Sequence, residues 1–380
     1  MSFLWLALPG ALIWLVILIL PWRPWSIGET LEADSAARDC DLSDVTALIP
    51  ARNEAETLPV AIRGLEQQGK GLQVVVVDDQ SQDATAEVAL RACPTATLVA
   101  LKGPPPRGWS GKLWALEQGR QEVRTPLVLL LDADIELRPG IVAALRAKLL
   151  REKLQLASVM ALLRTESQWE RLLMPAFVYF FKLLYPFRLV NDRSCTRVAA
   201  AAGGCVLMQA RALEDIGAFG CVRGALIDDC ALAARVKQQG FAIWIGLSRS
   251  VRSIRRYEGL APVWSMVARS AFPQLRHSTL LLLTVTAVFL AAYWLPLLAL
   301  AAGTSNTVAL SLLGLATMLG SYLPTLRFYR LSPAWGLALP LIGTLYLAMT
   351  WSSAYRWWIG RGSSWKERRY VENLHSHADA

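Results

Sequence analysis

Two carboxylates one residue apart, Asp132 and Asp134, close a run of five apolar residues, Leu127 to Leu131. So short and uninterrupted an apolar run reads as a strand buried on both faces. Unpaired charge is costly to bury, so acids at the end of such a strand call for a cation. The carboxyl edge of an open α/β sheet is also where ligands bind. Asp132 and Asp134 are therefore expected to hold a divalent metal, a nucleotide, or both. The plainer alternative is a solvated strand end with two ordinary surface acids. Similar acids follow other apolar runs, at Asn53-Glu54 and Asp78-Asp79. A further pair, Asp228-Asp229, opens a predicted helix, where acids are also ordinary partners of the helix dipole. Gly203-Gly204, just before an apolar run at Cys205 to Gln209, suggest close approach by a ligand or another backbone.

The elements that must position these groups alternate. Strands are predicted at Val45 to Ile49, Leu72 to Val77, Ala96 to Leu101 and Leu127 to Leu131. Helices are expected over Leu58 to Gln67, from near Asp83, and from Lys112 onward. Residues 103–111, rich in Gly and Pro, form a loop. This rhythm predicts an α/β fold with a doubly wound, mostly parallel sheet whose strand ends converge on one crevice. Gly140 to Arg151 reads as a helix, Leu156 to Leu163 and Phe241 to Ile245 as strands. Asp228 begins a helix running to about Gln239.

The 380-residue chain is 54% hydrophobic with net charge +9, and its mean hydropathy of +0.35 is too high for a soluble enzyme of this length. Membrane segments are expected. The basic residues form no runs with interleaved aromatics, which favours an anionic membrane surface and an anionic substrate over nucleic acid. Six cysteines without a Cys-x-x-Cys pair read as thiols in a reducing compartment, with no structural zinc. Phe3 to Trp22 carries no charge and reads as an uncleaved anchor. Thr279 to Ala302, Thr307 to Leu326 and Ala334 to Tyr355 are three further spans. The apolar, aromatic stretch Leu172 to Val190 is expected in the membrane interface with Lys182 and Arg188 snorkelling, or else as a buried core helix. Ser248 to Arg256 carries Arg249, Arg252, Arg255 and Arg256, a cationic surface or a set of forks for a diphosphate. An amphipathic helix from Trp264 to Leu275 carries Arg269. The basic tail argues for a cytoplasmic C-terminus. Three crossings after a cytoplasmic sheet domain put the tail on the other side, so one segment must be re-entrant or interfacial, or the charge rule fails.

Taken in order, Ile49-Pro50-Ala51-Arg52-Asn53-Glu54, Val77-Asp78-Asp79-Gln80-Ser81-Gln82-Asp83, Gly111-Lys112, Asp132-Ala133-Asp134 and Ile227-Asp228-Asp229 resemble family 2 glycosyltransferases of the GT-A fold. The resemblance covers roughly residues 44 to 275. Gly-Trp-Ser-Gly-Lys-Leu-Trp-Ala-Leu, Ala-Gly-Gly-Cys, Ile-Asp-Asp-Cys-Ala-Leu-Ala, Met-Val-Ala-Arg-Ser-Ala-Phe and a Trp-Lys-x-Arg-x-Tyr end are similar to the hopene-associated subgroup. The implied organisation is a transmembrane anchor at 1–24, a linker at 25–43, a GT-A domain at 44–257, an interfacial helix at 258–277, a membrane region at 278–356 and a basic tail at 357–380. The implied place is a bacterial-type cytoplasmic membrane, crossed several times, with the catalytic domain in the cytoplasm.

What the resemblance implies for the site is specific. Pro50, Arg52 and Glu54 line the nucleotide pocket, and Asp79 accepts a hydrogen bond from a uracil-type base. Lys112 contacts the donor, Asp132 sits near the ribose and Asp134 holds the metal. Asp229, beside Asp228, is the catalytic base. Gly203, Gly204 and Arg269 are candidates for the acceptor or diphosphate; Arg269 lacks both the tryptophan and the first polar partner of the Gln/Arg-x-x-Arg-Trp pattern often carried by lipid-acceptor and processive members. The implied reaction is inverting hexosyl transfer from a nucleoside-diphosphate sugar, UDP-linked by preference, to a membrane lipid such as a hopanoid or related polyprenoid. Oxygen ligands favour Mg²⁺ or Mn²⁺. A nucleotidyltransferase and a catalytically inactive lipid-binding module are the competing readings.

Overall fold

The computed structural model describes residues 4–37, 39–301 and 305–360, with two short paired strands, Ser364–Trp365 and Arg368–Arg369, beyond them. The rest of the basic tail, and the Phe3 and Ala302 ends of two expected spans, lie outside the described residues. The chain divides into two compact units. One is built chiefly from Glu29–Arg164 and Leu189–Arg255, the other from Met1–Gly28, Thr165–Arg188 and Arg256–Arg361.

The first unit is an eight-stranded sheet. Its strands are β1 (Val45–Ala51), β2 (Gln73–Asp78), β3 (Thr97–Ala100), β4 (Leu127–Leu131), β5 (Ile135–Leu137), β6 (Leu156–Leu162), β7 (Cys205–Gln209) and β8 (Ile243–Ser253). The spatial order is β3-β2-β1-β4-β7-β6-β8-β5. Strands β1 to β4 pair in parallel, as the alternation with helices requires. All seven residues of β1 and all five of β4 are buried, as expected of strands covered on both faces. Beyond β4 the sheet becomes mixed: β7 runs antiparallel to both β4 and β6, and β5 antiparallel to β8, while β6 and β8 are parallel.

This mixture matters for the site. Parallel β1, β2 and β4 bring their carboxyl ends to one edge. Antiparallel β7 brings its beginning to that same edge, with Cys205 opposite Leu131. Gly203 and Gly204 therefore arrive beside Asp132, whose backbone N–H donates to the Gly204 carbonyl at 3.1 Å.

Two stretches differ from expectation. Strand β8 continues well past Ile245 into the arginine-rich stretch, where Ser248, Ser250 and Val251 are buried, Arg249 and Arg252 are partly exposed, and a register irregularity opposite Ala161 and Leu162 breaks the alternation. Part of the expected linker is tied to that strand. Leu31 N–H donates to the Leu247 carbonyl, and Leu247 N–H to the Glu29 carbonyl. The Glu32 carboxylate accepts from Ser250 Oγ at 2.7 Å.

The second unit is helical. Thr279–Ala301, Ser305–Phe328 and Pro333–Trp358 are each long and apolar enough to cross a membrane. The Leu4–Ile19 helix has 16 residues, fewer than the ~20 that span a bilayer at 1.5 Å per residue. It packs through small residues: a Cβ on Gly10 would strike Pro296, and one on Gly314 would press on Ala11. The aromatic stretch forms a helix, Gln168–Leu184, that continues through Pro175 and stops before Pro186. Lys182 does not snorkel. Its ammonium is buried and donates to the carbonyls of Trp25 and Ser26 and to Thr325 Oγ1. With Tyr179 Oη 2.7 Å from Ser321 Oγ, that face is interior to its unit.

Candidate active site

The site grows from the Gly111–Arg120 helix. Ser110 caps it, its hydroxyl accepting from Leu113 N–H at 3.2 Å. Gly119 lets the helix lie directly on the sheet, since a Cβ there would fall 2.4 Å from Val77 and 2.5 Å from Leu48. Seated in this way, the first turn projects Lys112 over the end of β4. Lys112 Nζ lies 2.8 Å from Asp132 Oδ1 and 3.5 Å from Asp228 Oδ2. One ammonium thus joins the sheet edge to the start of the Asp228–Gln238 helix. Burial works against the Lys112 charge, but Asp132 and Asp228 more than offset it and hold the group above the ordinary lysine range.

Asp229 is fixed by two backbone donors. Gly203 N–H reaches Oδ2 at 2.7 Å, and Cys230 N–H reaches Oδ1 at 2.8 Å. A Cβ on Gly203 would stand 3.1 Å from the same oxygen, so the close approach at this glycine is that of the Asp229 side chain. Burial pushes the Asp229 carboxyl up, to about 6, and Asp228 adds to the effect; Lys112 and the two N–H donors oppose it. Pro50, Lys112, Asp132, Gly203, Asp228 and Asp229 line one cleft.

A second group of acids lies outside that lining. Asp134 accepts from Arg255 Nε at 2.7 Å, and Arg255 Nη2 lies 3.4 Å from Glu54 Oε1. Glu54 also accepts from Thr57 Oγ1 at 2.7 Å, and its backbone N–H donates to Thr85 Oγ1 at 2.8 Å. Asp79, at the end of β2, is almost wholly buried. Its backbone N–H donates to the Ala51 carbonyl, while Arg52 donates to its carbonyl at 2.6 Å and stands 4.0 Å from its carboxylate. Asn53 and Gln80 turn these loops with positive φ, 52° and 56°. Paired side-chain bonds, Asn53 N–H to Ser81 Oγ and Gln82 N–H to Asn53 Oδ1, lock one loop to the other.

The geometry thus brings Lys112, Asp132, Asp228 and Asp229 together, places Gly203 among them, and links Asp134 to Glu54 through a guanidinium. Gly204 borders the cleft through its bond to Asp132. Arg269 belongs to the helical unit, exposed on the Leu260–Gln274 helix. The sequence named Arg255 only as one of four neighbouring arginines. Its distinguishing feature is that it lies just past the end of β8, where the Ile254 N–H donates to the Asp134 carbonyl at 2.9 Å. That placement depends on the β5–β8 pairing, which left no periodic signal.

Among the described residues no three His, Cys, Asp or Glu side chains meet as a ready-made metal cage. The donor set still fits a hard divalent ion of the Mg²⁺ type, which is commonly bound by one or two carboxylates plus substrate phosphates. Asp134 already carries a cationic partner, so its position suits positive charge.

A model of the family described as "Glycosyltransferase like family 2" matches residues 43–271, more than half of the chain. A 93-residue stretch is 33% identical to 4,4'-diaponeurosporenoate glycosyltransferase of Staphylococcus haemolyticus, 24% of each chain. A 111-residue stretch is 32% identical to undecaprenyl-phosphate 4-deoxy-4-formamido-L-arabinose transferase of Salmonella paratyphi B, covering 28% of this chain and 34% of that protein. The matched stretches span about a quarter to a third of these curated relatives. Among solved structures, the mannosyltransferase PcManGT of Pyrobaculum calidifontis, in complex with GDP-Man and Mn²⁺, aligns with a TM-score of 0.57 at 18% identity. The alignment covers 93% of this chain and 99% of that one. At that identity the likeness concerns the fold, which is GT-A.

Proposed function

The chain belongs to the glycosyltransferase-like family 2, and on that premise we propose that it moves a sugar from a nucleoside-diphosphate sugar to a hydroxyl of a membrane lipid, inverting the anomeric carbon. The observation that carries this reading is Asp229, a half-buried carboxylate with a raised pKa, held by two N–H donors beside Lys112 and Asp132.

A hydroxyl acceptor has a pKa far above neutrality and needs a positioned base. Asp229 takes its proton as the acceptor oxygen bonds to the anomeric carbon. The bond from that carbon to the diphosphate breaks, and the electron pair leaves with the diphosphate. Asp228 acts through Lys112, which spans it and Asp132 and keeps the base and the donor-side edge in register. Pro50, Arg52, Glu54, Asp79 and Asp132 form the nucleotide side, with UDP the favoured carrier. Asp134 is the residue that would hold Mg²⁺ or Mn²⁺; such an ion supplies Lewis-acid stabilisation of the departing diphosphate. Gly203 serves by its N–H, and Gly204 by its bond to Asp132.

A lipid acceptor is supported by the three membrane-length helices and by relatives named for undecaprenyl phosphate and diaponeurosporenoate. Hopanoids or related polyprenoids are the acceptor class we favour. The same features support a multi-pass protein of a bacterial-type cytoplasmic membrane, with its anchor near residues 1–24 and its sheet domain in the cytoplasm. The test is to incubate membranes holding the protein with labelled nucleotide sugars and extract the lipids. Label in the lipid phase with release of nucleoside diphosphate is expected. Release of inorganic diphosphate instead would identify nucleotidyl transfer and refute the proposal.

A further inference from the structure

The two acids at the end of β4 are held by different cations, and the one on Asp134 is poorly buried. The Asp134 and Glu54 side chains are each 12% exposed, whereas that of Arg255 is 43% exposed. A single guanidinium therefore covers two largely buried carboxylates from the wet side. Its backbone is pinned at Ile254, but an arginine side chain has several rotatable bonds beyond Cα. The guanidinium itself meets water on its outer side, so it can turn away from the acids without burying its own charge.

We propose that Arg255 is a displaceable counter-cation, occupying on Asp134 the position of the divalent ion until metal and donor arrive together. This rests on the metal reading of Asp134 given above. A divalent ion carries one more positive charge than the guanidinium, and so compensates the two carboxylates more fully. The ion alone must break the Arg255 contacts and finds few ligands in return. The ion with a nucleoside diphosphate brings phosphate oxygens for itself and, for the displaced guanidinium, a bidentate anionic partner. Metal and nucleotide binding are then reciprocally coupled through Arg255. Arg255 is a positioning residue whose removal loosens that coupling.

Calorimetry of the full-length protein in detergent tests this, with MnCl₂ alone, then with UDP and separately GDP present. Wild type is expected to bind Mn²⁺ weakly alone and at least about tenfold more tightly with a nucleotide, within the usual span of coupling. Arg255→Gln is expected to bind Mn²⁺ alone about fivefold more tightly than wild type, because no ion pair remains to be broken. It should also lose most of the coupling. Arg255→Lys, which keeps the charge without the fork, should fall between the two and guards against a variant that fails to fold. Coupling in wild type, with Mn²⁺ affinity and coupling unchanged in both variants, would overturn the role of Arg255 and spare the metal reading. Absence of Mn²⁺ binding with either nucleotide in wild type would remove the metal reading and this inference with it.

Discussion

The Lys112 junction and the Arg255 junction sit on carboxylates two residues apart, yet they are built for opposite purposes. Lys112 comes from the first turn of a capped helix, is 21% exposed, and touches two acids. Arg255 comes from irregular chain just past β8, is 43% exposed, and also touches two acids. Charge count is the same at both. What differs is how deeply the cation is embedded and how firmly its element is held. A deep cation on a rigid helix is a permanent part of the scaffold, because its own ammonium is largely withdrawn from water and held by two acids. A shallow cation on a loop is exchangeable. The comparison assigns the base side of the site to the first kind and the metal side to the second.

Four changes test that division, in falling order of effect. Asp134→Ala should cut metal-dependent nucleotide affinity by on the order of a hundredfold, about 2.7 kcal/mol, because the exchangeable side loses the carboxylate proposed to hold the ion; calorimetry with and without Mn²⁺ measures it. Lys112→Met should lower stability by about 2–3 kcal/mol, a little under the cost of breaking a fully buried pair, read as a fall in melting temperature. If Lys112→Met melts like wild type, the scaffold role is wrong. Next is the pH dependence of transfer. Asp229 is raised to about 6, so it is unprotonated and competent above that value and progressively protonated below it. The ratio kcat/KM should be flat above pH 6 and fall about tenfold per unit below it. In Lys112→Met that limb should move to higher pH, since the opposing cation is gone. Smallest is Arg255→Gln, which should lower the melting temperature less than Lys112→Met does, because the arginine's own charge is largely solvated and its loop can admit water beside the two acids. A large loss there would make the two junctions alike and dissolve the comparison.

Much of this was legible in the residues. The apolar runs of β1, β2, β4 and β7 are short, unbroken and bounded by turn residues, and Cys205–Gln209 matches its expected bounds. The convergence of Asp132 and Asp229 follows from parallel strand ends together with β7, whose antiparallel course no local pattern encodes. Strand β5 is three residues long, too short to show a period, and exists because Val251 to Ser253 pair with it. For the 172–190 stretch the buried alternative holds at Lys182, and no local pattern decides it because its partners, Trp25, Ser26 and Thr325, are far away in sequence. The linker's order has the same origin, since Glu32 matters only when Ser250 is beside it. The contacts of Lys112 with Asp132 and Asp228 were not legible, because the proximity of the two acids is a tertiary fact.

The central claim is that Asp229 is the base of sugar transfer, and the most direct test is turnover by Asp229→Asn at saturating metal and nucleotide sugar. The amide keeps the shape and can still accept from the Gly203 N–H, but cannot take a proton. The account predicts unchanged donor binding and a loss of labelled lipid product of about 10²–10⁴-fold. Near-wild-type turnover by that variant would contradict it.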